Sequence, residues 1–506
     1  MSLGRTESVS LLGLAGSVVD IEVDIADGLP GFTLLGLPDA ALSESRDRIR
    51  AALVNSHEVW PNKKVTVSLS PAWLPKSGSG FDLSIALALL IAQSALPQAP
   101  FTQTTILGEL ALDGKIRPVQ GVLPSLIAAY KSGIRRAIVP TANRAEALLM
   151  SNMEVLTFST IHEVLTWART GVAPQLQELE LAHTDTESLL DFSDVAGQKR
   201  AREAAEIAAS GGHHLLLIGP PGAGKTMIAS RIPTILPQLD LDQALEVAAV
   251  HSISGGLGDR SPMSRLAPII SPHHTASRVA IVGGGSHIIK PGACSLAHHG
   301  VLFIDEAPEC AIGVLDSLRQ PLESGTITIT RSVGNVTFPA HFLLVLAANP
   351  CPCGKFIGKG RACTCTSLQV RRYLGKLSGP LMDRIDMRVI VEPVGRVEMA
   401  DTELGEASSV IRQRVIAARQ AAAHRFADQS WKLNAQIPAR ELRSTYKPER
   451  AAMNFLHDEL DRERITARGL HKVIRLSWTL ADLRGSSIPT LSHVQRAYAL
   501  REGSEI

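Results

Sequence analysis

The chain has almost no net charge, no long apolar run and few cysteines, and each shortage excludes something. Its 51 lysines and arginines against 49 aspartates and glutamates leave a formal +2 over 506 residues. The field of the whole molecule therefore cannot recruit a polyanion, and any nucleic-acid contact must come from local basic patches. No stretch approaches the ~20 uncharged apolar residues that span a bilayer, so no membrane partner is expected. The best candidate, Leu83 to Ala92, is short, follows Asp82 and predicts a buried helix. The N-terminus, MSLGRTESVS, carries Glu7 and lacks the basic start and cleavage site of a secretory signal, which predicts a cytoplasmic protein. There the six cysteines are expected as thiols or metal ligands, not disulfides.

At 506 residues the chain exceeds a single core and predicts about three domains on a prior of ~150 residues each. The strongest local signal runs from Ile207 to Ser230, where a buried apolar strand, His214 to Ile218, enters a glycine-rich turn and then a helix. Gly219, Pro220, Pro221, Gly222, Ala223, Gly224, Lys225 and Thr226 fit the pattern G-x-x-x-x-G-K-[ST] of a P-loop. Its glycines let backbone N–H groups wrap phosphates at a helix N-terminus. Lys225 is expected at the β- and γ-phosphates of ATP and Thr226 on Mg²⁺. Downstream, Gly300 to Ile304 is an apolar strand ending in Asp305 and Glu306, as a Walker B element requires. Asp305 would hold Mg²⁺ through water and Glu306 would polarise the attacking water, because phosphoryl transfer needs positioning and charge neutralisation more than covalent chemistry.

Before the P-loop, short β-rich runs (Val18 to Ile25, Phe32 to Leu35, Lys64 to Leu69, Ala137 to Val139) alternate with helical ones (Ala40 to Asn55, Phe81 to Gln93, Leu123 to Ser132), which predicts a self-contained α/β domain. Leu74 to Ala88 and Ile106 to Pro140 resemble the proteolytic domain of Lon proteases, of the ribosomal S5 domain-2-like fold. Lon enzymes need a Ser nucleophile and a Lys base; the matched positions are Gly80 and Leu123, and neither residue can move the proton that nucleophilic catalysis requires. The resemblance implies a Lon-like fold without peptidase activity over residues 1–170, with Lys76, Ser77, Ser79 and Asp82 expected in a solvated loop. The polar stretch 171–191 is the expected linker.

Asp194-Val195-x-Gly197-Gln198 followed by a helix from Lys199 to Ala209 resembles the mouth of the adenine pocket of AAA+ ATPases. In that frame Asn349, after the apolar strand Phe342 to Ala348, takes the sensor-1 position that orients the hydrolytic water. Thr326 to Ala340 alternates apolar and polar residues and predicts a β-hairpin. It is either an ordinary edge hairpin or, as in the magnesium-chelatase and MCM branch that carries a hairpin before sensor 1, a DNA-contacting element with Arg331 near its tip. Ser271-Pro-His-His-Thr-Ala-Ser277, Val282-Gly-Gly-Gly285, Ser295-Leu-Ala-His298, the Walker B strand and Ala348-Asn-Pro-Cys-Pro-Cys-Gly354 resemble the ComM/YifB family of magnesium-chelatase-like AAA+ ATPases over essentially the whole chain. The segment before the histidine pair, Ala267-Pro-Ile-Ile270, lacks basic residues. His273 and His274 are expected to be hydrogen-bonded structure, not metal ligands.

Cys351, Cys353, Cys363 and Cys365 form C-x-C-x₉-C-x-C, the composition of a closed structural Zn²⁺ site, with free surface thiols the alternative. Cys294 and Cys310 are expected to be packed. The segment Ser378 to Asp386 resembles one that presents an arginine finger, Arg384, to a neighbouring subunit, which implies a ring, usually a hexamer; a salt bridge from Arg384 to Asp383 or Asp386 is the alternative. Beyond Glu392, Ser408 to Arg425, Arg450 to Arg462, Ala467 to Arg484 and Leu491 to Arg501 predict helices with basic faces. Thr466 to Leu476 resembles the sensor-2 helix, with Arg468 or Arg475 reaching the γ-phosphate. Arg412, Arg414 and Arg419 are expected on a solvated face or against DNA.

The expected fold class is thus α/β: a Lon-like domain, an AAA+ P-loop core over 192–395 and an all-α lid over 396–506. The family implies an ATP- and Mg²⁺-dependent DNA helicase for branch migration in recombination and natural transformation. The competing readings are a magnesium-chelatase ATPase subunit and an ATP-dependent Lon-like protease.

Overall fold

The computed structural model describes residues 3–76, 78–174, 190–255, 261, 264–285, 289–331, 334–356, 362–393 and 405–503. Most of the expected linker, and Ser77, lie outside them. Seven strands form the N-terminal sheet, in the order Gly31–Leu35, Lys64–Ser70, Ala15–Ala26, Leu3–Leu12, Thr104–Ile106, Arg136–Pro140 and Glu154–Phe158. The two longest, Leu3–Leu12 and Ala15–Ala26, pair antiparallel with Leu12 opposite Ala15, joined by a turn at Gly13 and Leu14. Period-2 alternation drives Val19, Ile21 and Val23 into the core. There they meet the helix Asp82–Ala92, which is buried along its whole length, as its uninterrupted apolar run requires.

Lys76 and Asp82, expected in a solvated loop, are buried instead. Lys76 is buried, and its ammonium donates to the carbonyls of Leu69, at 3.0 Å, and Pro71. Asp82 is buried against the Arg48 guanidinium at 2.7 Å, and burial, opposed by that guanidinium, pushes its carboxyl up to about 6. Ser79 donates to Glu109. Each of these polar residues finds its own partner, a carbonyl, a guanidinium or a carboxylate, so charge in the sequence did not mean exposure here. The helix expected over Ala40 to Asn55 is broken into Ala40–Ser43 and Ser45–Asn55.

The second core holds a five-stranded parallel sheet, in the order Ile269–Ile270, Val301–Ile304, Leu343–Ala348, Leu215–Ile218 and Met387–Ile390. Parallel sheets are covered on both faces, which explains why the strands 301–304 and 343–348 are continuous apolar runs, buried throughout. The P-loop strand lies between two others, so the loops leaving Ile218, Ile304 and Ala348 emerge along one edge. The hairpin pairs Thr326–Arg331 with Gly334–Pro339, Ile327 facing Phe338. Ile327, Ile329, Val336 and Phe338 are buried on one face, while Arg331 is exposed.

The C-terminal part is helical: Ser408–Arg425, Arg450–Asp461, Ala467–Leu483 and Leu491–Glu502. Its first helix does not offer a free basic face. Arg412 donates to the Thr234 carbonyl at 2.7 Å, Arg414 pairs with Glu206 and Glu406, and the half-buried Arg419 places two donors on the Ala209 carbonyl at 2.9 and 2.7 Å. These arginines seal the seam between the lid helix and the helices Lys199–Gly211 and Lys225–Ile235 of the core.

One buried ion pair fixes the lid. Lys472 Nζ lies 2.6 Å from Asp386, whose other oxygen accepts the His214 N–H at 2.8 Å. Burial alone would raise the Asp386 carboxyl; Lys472, with His213 and His214, holds it well below the usual carboxylate range. Removing one partner of such a pair strands a charge in the core. Lys472→Met is expected to destabilise the protein by about 3–5 kcal/mol, and adding Asp386→Asn should restore part of that loss. Urea denaturation monitored by circular dichroism checks both; a Lys472→Met protein as stable as the parent would contradict this role.

Candidate nucleotide site

The P-loop is shaped by backbone geometry. Gly222 and Gly224 have φ of +75° and +89°, and among the described residues no atom beyond the chain neighbours lies within 4 Å of where a Cβ would stand at either position. The glycines are there for left-handed backbone, and they leave an open cradle at the start of the helix Lys225–Ile235. Lys225 Nζ donates to the carbonyls of Gly219 (2.7 Å) and Pro220 (2.9 Å) and to Asn349 Oδ1 (3.1 Å). Burial depresses its pKa, while the carboxylates of Asp305 and Glu306 pull the other way. A desolvated ammonium held by neutral acceptors at the rim of an open cradle is suited to an anion such as the β- and γ-phosphates.

Thr226 Oγ1 lies 2.8 Å from Asp305 Oδ2, so hydroxyl and carboxylate oxygens, the hard donors that Mg²⁺ takes, meet beside the cradle. Glu306 has a left-handed backbone, φ +49°, uncommon for a residue with a side chain, and its N–H bonds the Asp305 carboxylate at 2.8 Å. His274 Nδ1 stands 3.3 Å from Glu306. That histidine stacks on His273 with 4.1 Å between centroids, and His273 bonds Thr275 Oγ1 at 2.8 Å. His273 is hydrogen-bonded within its own loop, and His274 stands against Glu306. Its contact with Glu306 was missed, because only the pairing of Ile270 with Leu302 in the sheet brings the two chain exits side by side. Gln198 ties the putting-in side of the loop to the lid junction, donating to Ala223 O at 3.0 Å and Glu392 O at 2.5 Å.

The three arginines expected to reach a phosphate, Arg384, Arg468 and Arg475, bond elsewhere. Arg384 is mostly covered and bonds Glu323 and the Pro380 carbonyl, not Asp383 or Asp386. Arg468 is exposed and bonds Asp383 at 3.1 Å. Arg475 donates to the Ile437 carbonyl at 2.9 and 2.6 Å.

The four cysteines of the C-x-C pairs come together. Cys351 Sγ lies 3.3 Å from Cys353 Sγ and 3.6 Å from Cys363 Sγ, and all four sulfurs fall within 4.8 Å of one another. Tetrahedral Zn²⁺ with Zn–S near 2.3 Å demands sulfurs about 3.8 Å apart, so the donor set fits that ion. The loop also backs the nucleotide site: a Cβ on Gly354 would stand 2.6 Å from Pro221 Cδ. Cys294 and Cys310 are buried elsewhere.

A second cluster, Glu246 with His298 and His299, resembles a ligand set but is wired as a hydrogen-bond clasp. His298 Nδ1 accepts the His341 N–H at 3.1 Å, so its proton sits on Nε2 and is donated to Glu246 at 3.0 Å. That leaves no Nε2 lone pair for a metal. His299 reaches the same carboxylate oxygen at 2.9 Å.

Of the two positions that the sequence resemblance matches to the Lon dyad, Gly80 has no side chain and Leu123 is fully buried.

Comparison with known proteins covers the whole chain. Residues 191–399 match the family described as magnesium chelatase, subunit ChlI, residues 405–501 its C-terminal family, and residues 21–143 the family described as subunit ChlI of Mg-chelatase. An uncharacterized protein of Mycobacterium tuberculosis is 46% identical over 506 residues, 99% of each chain. Competence protein ComM of Haemophilus influenzae is 38% identical over 507 residues, 99% of this chain and 98% of its own. The uncharacterized protein YifB of Escherichia coli is 40% identical over 503 residues, 99% of this chain and 97% of its own. A Lon protease of Syntrophomonas wolfei is 27% identical over 184 residues, 32% of this chain and 22% of its own.

Proposed function

The chain belongs to the ComM/YifB family of magnesium-chelatase-like AAA+ ATPases, and from that premise we propose that it is a ring-forming, Mg-ATP-driven DNA motor acting in branch migration. The observation that carries the proposal is the convergence of Lys225, Thr226, Asp305, Glu306 and Asn349 at one edge of the parallel sheet, with an exposed arginine on a hairpin between two of its strands. In this reading Lys225 and the P-loop N–H groups grip the phosphates, and Thr226 and Asp305 hold Mg²⁺. Glu306 and Asn349 orient the water, and Arg468 leaves Asp383 for the γ-phosphate. The competence protein among the relatives supports DNA as the partner. A chelatase subunit is disfavoured because nothing in the sequence resembles a porphyrin pocket, and a protease because Gly80 and Leu123 can supply no nucleophile or base.

The direct test is ATP hydrolysis with and without single-stranded and branched DNA, together with Arg331→Ala. The variant is expected to keep its DNA-free hydrolysis, to bind DNA more weakly across all sequences, and to lose salt dependence by roughly one phosphate contact per engaged subunit. Unchanged affinity and salt slope would remove the hairpin as the grip. Hydrolysis indifferent to every DNA would sink the motor.

Arg384 acts from a neighbouring subunit, exchanging Glu323 for a phosphate at the partner's site. Arg384→Ala should bind ATP and lose ~10³ in rate, as arginine fingers do. Mixing it with Lys225→Ala subunits should restore hydrolysis at mixed interfaces. No rescue in rings shown to be mixed would refute the assignment.

The sulfurs of Cys351, Cys353, Cys363 and Cys365 hold one structural Zn²⁺ behind Pro221. Elemental analysis of protein purified under reductant should find about one zinc per chain, and its removal should weaken nucleotide binding through Gly354. Metal-free protein with full nucleotide affinity would overturn this.

A further inference from the structure

Among the described residues the N-terminal domain has two footholds on the ATPase core, and both lead to the hairpin. The first is the turn between its two longest strands. Gly13 has φ +64°, and a Cβ there would stand 2.3 Å from Val336 Cγ1 and 3.6 Å from the Phe338 ring. Leu12 and Leu14 pack on the cluster that holds Ile329, Val336 and Phe338, and Leu12 also lies against Gly334, near the tip. The second foothold is the position where a Lon peptidase carries its base. Leu123, 0% exposed, packs with Ile127 against Ala248, Ala249 and Leu245 of the helix Leu241–Ser254. Polar contacts fix the register: the Gly121 N–H donates to Ser252 O at 3.2 Å, and the Glu146 carboxylate accepts both the Leu123 N–H at 2.8 Å and the Ser252 hydroxyl. The same helix presents Glu246 to His298 and His299, beside His341 at the foot of the hairpin.

A two-stranded ribbon is marginal by itself and takes its shape from what it packs on. Here the buried face of the ribbon is completed near the tip by Leu12 and Leu14, and its foot is held by a helix docked on Leu123. We propose that the Lon-like domain is the brace that sets the position of the hairpin, and that the vacated base position of the peptidase site has become its docking contact. A lysine at position 123 would place a charge among Ala248, Ala249 and Leu245, so this surface can serve a proton-transferring dyad or the brace, not both. The consequence for DNA rests on the assignment of the hairpin as the grip; the brace itself does not.

The test uses the full chain with Leu123→Lys and Gly13→Val, one at each foothold. Amide hydrogen exchange should rise in Thr326–Arg331 and Gly334–Pro339 in both variants. DNA stimulation of hydrolysis should fall severalfold while DNA-free hydrolysis stays unchanged. A Gly13→Cys, Val336→Cys pair, oxidised and then reduced, guards against simple misfolding: because turn and ribbon stay together, the locked form should keep the DNA stimulation of the reduced form. Unaltered exchange in the ribbon, or loss of stimulation on locking that reduction restores, overturns the brace. Raised exchange in a protein whose hydrolysis never responds to DNA leaves the brace standing and rejects the DNA reading alone.

Discussion

A single carboxylate inside the ATPase core holds the rest in register. Asp386 precedes the edge strand Met387–Ile390, accepts the N–H of His214 at the start of the P-loop strand, and pairs with Lys472 from the long lid helix. Three elements far apart in sequence are thereby pinned at one buried charge. Desolvation of that charge is costly, and only the simultaneous presence of the three partners offsets it. Around this point lie the other residues expected to sense phosphate. Lys472 also bonds the carbonyl of Arg384 at 2.8 Å, and Arg468, one turn earlier on the lid helix, bonds Asp383. The finger and sensor candidates therefore share one clasp. A lid movement that broke the exposed Arg468–Asp383 pair need not disturb the buried Asp386–Lys472 pair, which gives the helix a fixed pivot and a free end.

What the sequence disclosed and what it hid follow a physical division. The P-loop, the carboxylate-tipped strand, the hairpin and the four lid helices were legible because each is written in contiguous residues: glycines where φ must be positive, apolar runs where a strand is covered on both faces, period-2 alternation where a ribbon has one buried face. The cysteine cluster was legible from spacing and composition alone. The fates of individual charges were not. Lys76 and Asp82, expected in water, are buried, and Arg412, Arg414 and Arg419, expected on a solvated face or against DNA, close the seam with two helices of the core. Arg384 took Glu323, which no local pattern pairs with it. A charge finds its partner through tertiary structure, and burial of its stem is invisible in a helical-wheel reading.

The nucleotide site itself shows the same dependence on distant order. Lys225 is held between neutral carbonyls and Asn349, with the two carboxylates close enough to oppose the effect of burial on its pKa. None of these partners is on its own helix. The two carbonyls belong to the P-loop itself, while Asn349 and the carboxylates arrive on the strands 301–304 and 343–348, whose register with the P-loop strand sets where Asp305, Glu306 and Asn349 end. The His274 contact to Glu306 comes by the same route, through the short strand at the far edge.

Those two strands also have far ends, and there the second histidine cluster sits. His298 and His299 lead into the strand that finishes at Asp305, and His341 leads into the one that finishes at Asn349; Glu246 and the His341 N–H tie the two roots together. Between the roots stands the hairpin, with Gly325 at its foot so close to the His341 ring that a Cβ would approach it to 1.9 Å. Strands buried on both faces at interior packing density do not bend freely, so a displacement at the phosphate end is delivered to the roots with little loss. In the proposed motor the hairpin would then be driven from its foot through the sheet, and its tip would be steadied by Leu12 and Leu14 of the N-terminal domain. Force produced at the nucleotide would cross the core along two covalent paths and meet the hairpin where it is most firmly held.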